Sequence, residues 1–254
     1  MKTTYLERER FNQTVAELVW TYIVIGLTPV QRRVITYVIM QTEVPKANSK
    51  EFAPVISTKN YLANSLNILG QNGKFRETIR EEIKKMALFE TVVNVENQEV
   101  HFSLLDAVEY NNKKVAFRLS SSLLPYYSNI KKIYNEQHLQ YFIFSKTKNA
   151  PMLYLLLQRN TMAEMMSCSV KQIKHCLYID SDVYARDYDF YNRFIVPAVK
   201  DMNRYSFYFV ECDYVKGGVC FRVRSKSPQE LMMLTDIAKE QFYNGRCVGI
   251  ERSL

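Results

Sequence analysis

Four polar side chains recur along one side of residues 189–204, Asn192, Arg193, Lys200 and Asn203, with Arg204 at its edge. Phe190, Phe194, Ile195, Ala198, Val199 and Met202 fall on the other side at helical spacing. Those residue types suit recognition of nucleic acid. An arginine fork matches the two acceptors of guanine, an asparagine amide matches the donor and acceptor of adenine, and a lysine ammonium neutralises a phosphate. The competing reading is a solvated helix face. Lys171 and Lys174, on the turn and helix just before this stretch, and Lys216, on a turn just after it, extend the chemistry to backbone phosphates. Arg222 and Arg224 offer less, because Asp213 and Glu211 can pair with them. In the first half, Lys74, Arg76, Arg80 and Lys84 alternate with Glu77, Glu81 and Glu82, and Glu81 and Lys85 form an i,i+4 pair. A salt-bridged solvent face is the first reading there, and an accessory DNA contact the second.

Other chemistries find less support. His175 beside Cys176, with Cys168 a few residues earlier, lacks the further ligand pair that a zinc site needs. Asp180, Asp182, Asp187 and Asp189 could be read as a magnesium site for nuclease chemistry, but they fall between two helical stretches, where Asp serves caps and turns. There is no Walker motif, no G-x-S-x-G and no His-hydrophobic-His nickase signature. The expectation is a protein without catalytic residues, cofactor or metal.

The composition agrees with a soluble globular chain: 47% hydrophobic, 24% charged, with only 7 Gly and 7 Pro in 254 residues. The net charge of +8 is spread over both halves and favours a polyanionic partner. Five Cys without a C-x-x-C pair read as small core hydrophobes in a reducing cytoplasm. The first 27 residues carry Glu7, Glu9 and Glu17 and no small-residue cleavage site, so neither a secretory signal nor a membrane partner is expected.

The elements that would position these side chains fall into two similar sets. Thr28-Pro29-Val30-Gln31 predicts a helix start, with Thr as N-cap and Pro in the first turn. Ser57 predicts the cap of a second helix burying Tyr61, Leu62, Leu66 and Leu69. A third runs from Lys74 to about Ala87, and strands are expected over 89–95, 99–108 and 114–120. In the second half, 149–159 predicts a helix capped by Asn149, followed by a short helix around 161–166 and another over 169–177. Residues 188–204 follow as a helix that Pro197 could divide into two bent pieces. The hairpin after it predicts a type I′ turn at Gly217-Gly218. That register pairs Lys216 with Val219, Tyr214 with Phe221 and Cys212 with Val223, and sets Asp213 opposite Arg222 and Glu211 opposite Arg224. It makes one apolar face of Tyr208, Val210, Cys212, Tyr214, Phe221 and Val223. Ser227-Pro228-Gln229-Glu230 is a capping box for a last helix.

Three helices followed by a small antiparallel sheet, repeated once, make an α+β chain of two tandem winged-helix domains. The divisions are an N-terminal extension over 1–27, a first domain over 28–127, a packed connector over 128–148, a second domain over 149–226, and a C-terminal helix and tail over 227–254. The order resembles that of plasmid replication-initiator proteins with two winged-helix domains, the type that binds iterons. LTPVQRRV (27–34) is similar to the family's first helix, FRLSSSLLPY (117–126) to its strand leading to L-x-P-Y/L, and APMLYLLL (150–157) to its A-x-x-L-Y-x-L-L. FYNRFIVPAVKDMN (190–203) fits its most specific signature at Phe190, Arg193, Pro197, Ala198, Val199, Lys200 and Asn203, and departs from it at Asn192 and Asp201. The resemblance implies binding of duplex DNA at direct repeats of an origin through the second domain, with dimerisation and added DNA contacts through the first. It also implies dimers that repress the protein's own gene at an inverted repeat, in equilibrium with monomers that open the origin and engage a host initiator and replicative helicase. A winged-helix transcriptional regulator is the alternative, and a DNA relaxase or nuclease a more distant one.

Overall fold

The computed structural model describes residues 5–46, 48–59, 62–63, 66, 74–111, 113–158 and 165–234. Two compact units divide the chain, Met1–Ile143 and Phe144–Glu240.

The first unit begins with α1 (Tyr5–Gly26). Val15, Ala16, Val19, Trp20, Ile23 and Val24 recur at helical spacing and are all at most 1% exposed. Within the stretch read as an N-terminal extension, α1 supplies a wall of the core. Trp20 stacks on Tyr134 at 4.8 Å between ring centroids and meets Phe142 edge-on at 5.2 Å. Those partners belong to α4 (Leu124–Ile133), its C-cap Tyr134, and α5 (Glu136–Phe144). The sequence reads 128–148 as a packed connector, and its part up to Ile143 belongs to the first unit.

α2 (Pro29–Gln41) starts as expected, with Gln31 donating its backbone N–H to the Thr28 hydroxyl and returning its side chain to the Thr28 N–H. The Thr28 hydroxyl also donates to Glu82 at 2.7 Å, which ties this start to α3 (Lys74–Ala87). At the other end of α2, the buried Tyr127 hydroxyl sits 2.8 Å from the Ile39 carbonyl and 2.9 Å from that of Thr42. Burial raises its pKa well above the usual phenol range.

Ser57 does not cap a helix. It lies in β1 (Val55–Thr58), which pairs with β5 (Lys114–Leu119). The expected helix after it falls mostly outside the described residues, although Leu62 and Leu66 are buried as foreseen. The predicted 99–108 strand is two: β3 (Gln98–Ser103) and β4 (Leu105–Tyr110), separated at the buried Leu104. β3 pairs with β2 (Glu90–Val95) through a two-residue turn whose Glu96 and Asn97 have φ of 50° and 64°. Positive φ at both central residues is the type I′ signature. The remaining strands form a sheet in the order β1–β5–β4.

The second unit has a three-stranded sheet of the same first-against-last order. α6 (Ala150–Gln158) buries nearly every residue. β6 (Met165–Ser169), α7 (Val170–Cys176), a helical run over 187–205, β7 (Tyr208–Val215) and β8 (Gly218–Ser225) follow. The sheet order is β6–β8–β7, again first strand against last. β6 corrects the expected short helix at its described residues, Met165 and Met166. Ser169 and Gln172 form a capping box that opens α7.

The β7–β8 hairpin turns one residue earlier than the sequence predicts. Val215 pairs with Gly218, leaving Lys216 and Gly217 in the loop. Only Gly217 takes positive φ, 74°, so the turn needs glycine at one central position rather than two. Gly218 is needed for a different reason: β6 passes so close that a Cβ there would sit 2.7 Å from the Cys168 carbonyl oxygen. Each partner moves by two residues, so the apolar face keeps its members while the charge pairs change. Glu211 stands opposite Arg222, and Phe209 opposite Arg224.

Candidate nucleic-acid interface

The 187–205 run is built from α8 (Asp187–Phe190), a π turn (Tyr191–Ile195) and α9 (Val196–Tyr205). Pro197 explains the π turn. It lacks the N–H that would bond four residues back, and its ring crowds that carbonyl. The helix widens just before it, where Val196 N–H bonds to Tyr191 O, five residues back. The helix thus continues rather than breaking into two bent pieces.

Its inner side buries Phe190, Phe194, Ile195, Ala198, Val199 and Met202, as the periodicity predicts. Phe190 and Phe194 stack at 4.8 Å. Asp201 is also buried, and its carboxylate accepts from the N–H groups of Lys146 at 2.8 Å and Thr147 at 3.2 Å. Asn192, Arg193, Lys200 and Arg204 are exposed on the outer side. Lys171 on α7 and Lys216 at the hairpin turn are exposed as well. Among the described residues, none of these six forms an ion pair or a side-chain hydrogen bond. Arg204 lies 5.4 Å from the centre of the Tyr205 ring.

Two expected site residues are otherwise engaged. Lys174 is 6% exposed, and its ammonium donates to the Ser181 and Tyr184 carbonyls, both at 2.9 Å, above the Phe190 ring. It braces the loop between α7 and α8. Asn203 turns its amide onto β7, donating to Val210 O and accepting from Val210 N–H, each at 2.7 Å. It joins helix to hairpin, and its amide is engaged in that link.

The arginines of the hairpin are neutralised at home. Arg222 lies 3.0 Å from Asp213 and 3.4 Å from Glu211. Arg224 makes a two-pronged pair with Glu230, 2.9 Å on each arm, and covers the Phe209 ring at 4.4 Å. That pairing, together with the Ser227 N–H, holds the Glu230 carboxyl down to about 2 and completes the expected Ser227–Glu230 capping box.

Beside the turn sits a tyrosine cluster that the sequence reading passed over. Tyr188 and Tyr191 each lie 5.5 Å from the Tyr214 ring, and Tyr191 donates to the Cys212 carbonyl at 2.9 Å. The signal was the i,i+3 spacing of Tyr188 and Tyr191. Cys168, Cys176, Cys212 and Cys220 are free thiols. Among the described residues no group of three or more His, Cys, Asp and Glu could hold a metal ion. Asp180 and Ser181–Asp182 are used in the turns of the loop.

In the first unit, Lys84 pairs with Glu81 at 2.7 Å and Lys85 with Glu82 at 3.2 Å. These i,i+3 pairs stand in place of the i,i+4 pair expected between Glu81 and Lys85. Arg80 lies over the Tyr110 ring at 5.4 Å. Lys74 and Arg76 sit in the first turn of α3, their side chains outside the described residues.

Residues 17–158 match the family model described as Initiator Replication protein, WH1. That is more than half of the chain. The chain belongs to this family of plasmid replication initiators. The matched span makes the first half a winged-helix domain, and the β1–β5–β4 sheet is its strand order. It takes in part of α1, all of α4 and α5, and α6, which the sequence assigns to the second domain. No curated protein matches the chain. Among the described residues no helix of this initiator is long and apolar enough to cross a membrane.

Proposed function

We propose that this initiator binds duplex DNA sequence-specifically at repeated sites of a replication origin, and that its second unit is a second winged-helix domain that reads those sites. The observation carrying this reading is the outer face of the 187–205 helix. Asn192, Arg193, Lys200 and Arg204 lie exposed there, and among the described residues neither they nor Lys171 on α7 and Lys216 on the hairpin turn form an ion pair or a side-chain hydrogen bond. An uncompensated cationic face on a rigid helix, next to a two-stranded ribbon, suits a major groove bordered by phosphates. The repeated strand order, β1–β5–β4 and then β6–β8–β7, supports the same domain type in both halves.

Lys171, Lys200 and Lys216 neutralise phosphates in this reading, while Asn192 and Arg193 meet base edges and Arg204 serves the rim. The protein needs no cofactor and performs no chemistry on DNA. It represses its own gene as a dimer at an inverted repeat and acts at the origin as a monomer, in the cytoplasm, with a host initiator and replicative helicase.

The test is fluorescence anisotropy with duplex DNA from beside the gene and a shuffled duplex of equal length, across a salt series. Tight binding to the flanking duplex should persist at salt that abolishes binding to the shuffled one. Equal binding to both, vanishing together, would reduce the interaction to the +8 net charge.

A further inference from the structure

Lys226, the first residue after β8, stands in the sequence between two charged or polar neighbours and reads as one more solvated cation. It is 8% exposed. Its ammonium donates to the Asn203 carbonyl at 2.5 Å and the Ser206 carbonyl at 2.6 Å. These are carbonyls from the end of α9 and its C-cap, where the helix has no intrahelical donors left and where its dipole favours a cation. The Lys226 N–H meanwhile bonds to Phe207 O at 2.9 Å, which closes the base of the hairpin. From the opposite side, the Asn203 amide grips Val210 on β7 through both of its hydrogen-bonding groups. One residue beyond Lys226, the Ser227 box and the Arg224–Glu230 pair fix the helical turn over 228–234 to β8.

The ammonium thus closes the end of the helix, while the neighbouring bonds of Asn203, the Lys226 N–H and Ser227 join that end to the hairpin and to the C-terminal helical turn. Burial pushes the Lys226 pKa down to about 8, against the attraction of Glu230 and with the repulsion of Arg224. A cation placed where burial opposes its charge is costly unless its donors are used, and here two carbonyls take them.

We propose that Lys226 is a positioning residue for DNA recognition: bridging the Asn203 and Ser206 carbonyls, it sets the angle between the 187–205 helix and the β7–β8 hairpin, and so the register of their joint contact with duplex DNA. The proposal rests on the DNA-binding reading of the second unit. Lys226 itself touches no DNA. Its loss acts on discrimination, because base contacts depend on alignment within the groove, whereas phosphate attraction tolerates a tilt.

The experiment compares wild type, Lys226→Met, Lys226→Arg and Asn203→Ala at one salt concentration. Anisotropy is read on the flanking duplex and on the shuffled duplex, and hydrogen exchange is followed without DNA. Lys226→Met is expected to lower the ratio of flanking to shuffled affinity about tenfold while shuffled binding stays within about twofold. Exchange should accelerate across 203–210 and stay slow in α6. Lys226→Arg restores much of the ratio, and Asn203→Ala lowers it without touching the ammonium. An unchanged ratio in Lys226→Met and Asn203→Ala, with wild type discriminating, overturns the proposal. So does unchanged exchange across 203–210. A wild type that binds both duplexes alike defeats the DNA-binding reading instead, and the exchange data still decide whether the ammonium holds the helix end.

Discussion

Removing single lysines should separate phosphate contacts from structural cations. Counterion release makes log K fall with log salt by about 0.9 for each phosphate neutralised on duplex DNA. Lys171, Lys200 and Lys216 are exposed, and among the described residues no carboxylate pairs with them. Each one changed to Ala should flatten the slope by about 0.9, which is about threefold to fourfold in affinity loss between about 50 and about 200 mM salt. The triple variant should flatten it by about 2.7 and remove about fortyfold over the same interval. Lys174 behaves differently, because its ammonium is spent on the Ser181 and Tyr184 carbonyls. Lys174→Met should leave the slope unchanged and destabilise the second unit by about 1–3 kcal/mol, the range for stranding buried acceptors. The assay is anisotropy on a fixed duplex at five or more salt concentrations, with urea unfolding in parallel. A slope flattened by about one in Lys174→Met, or left intact in Lys200→Ala and Lys216→Ala, would refute the assignment.

Three further outcomes concern stability. Tyr127→Phe removes the hydroxyl from the Thr42 carbonyl at the end of α2, while Lys131 still donates to the Ile39 carbonyl, and should cost about 1–3 kcal/mol, read through the fluorescence of Trp20, the sole tryptophan, in the same core. His138 is 7% exposed, and burial lowers its pKa from 6.5 to about 4. The unfolded chain therefore takes up this proton first, so its contribution is intact above pH 6.5 and is lost as pH falls toward 4. The first unit should lose about 2 kcal/mol between pH 7.5 and 5, and His138→Gln should flatten that part of the urea-midpoint profile. Gly218→Ala forces a Cβ to within 2.7 Å of the Cys168 carbonyl oxygen, so β6 must shift; a cost of about 1–3 kcal/mol is expected, visible in thermal unfolding of the second unit.

What the sequence made legible was local. Thr28-Pro29-Gln31 and Ser227-x-x-Glu230 satisfy orphan helix donors within four residues, so both caps formed where expected. The apolar side of 189–204 was equally readable, since helical spacing alone determines it. What escaped depends on partners distant in the chain. Met165–Ser169 has no strong strand signal and becomes β6 because β8 offers an edge with a glycine at the point of closest approach. Two adjacent glycines suggested a type I′ turn, but only one supplies positive φ, and the other is reserved for β6. Lys174 and Asn203 have the composition of DNA contacts. Only the fold reveals that carbonyls at Ser181 and Tyr184, and the backbone of Val210, take their hydrogen bonds. The stripe from Val15 to Val24 carries a readable helical period, but the core it enters is made by residues more than 100 positions away, such as Tyr134 and Phe142.

The most direct test of sequence-specific binding at repeated sites is a hydroxyl-radical footprint of this initiator on the DNA beside its gene. Several protected windows of the same sequence, spaced by whole helical turns and losing definition in Arg193→Ala, are the expected result. Uniform protection that follows no repeated sequence, or none at salt where the flanking duplex still binds, would contradict it.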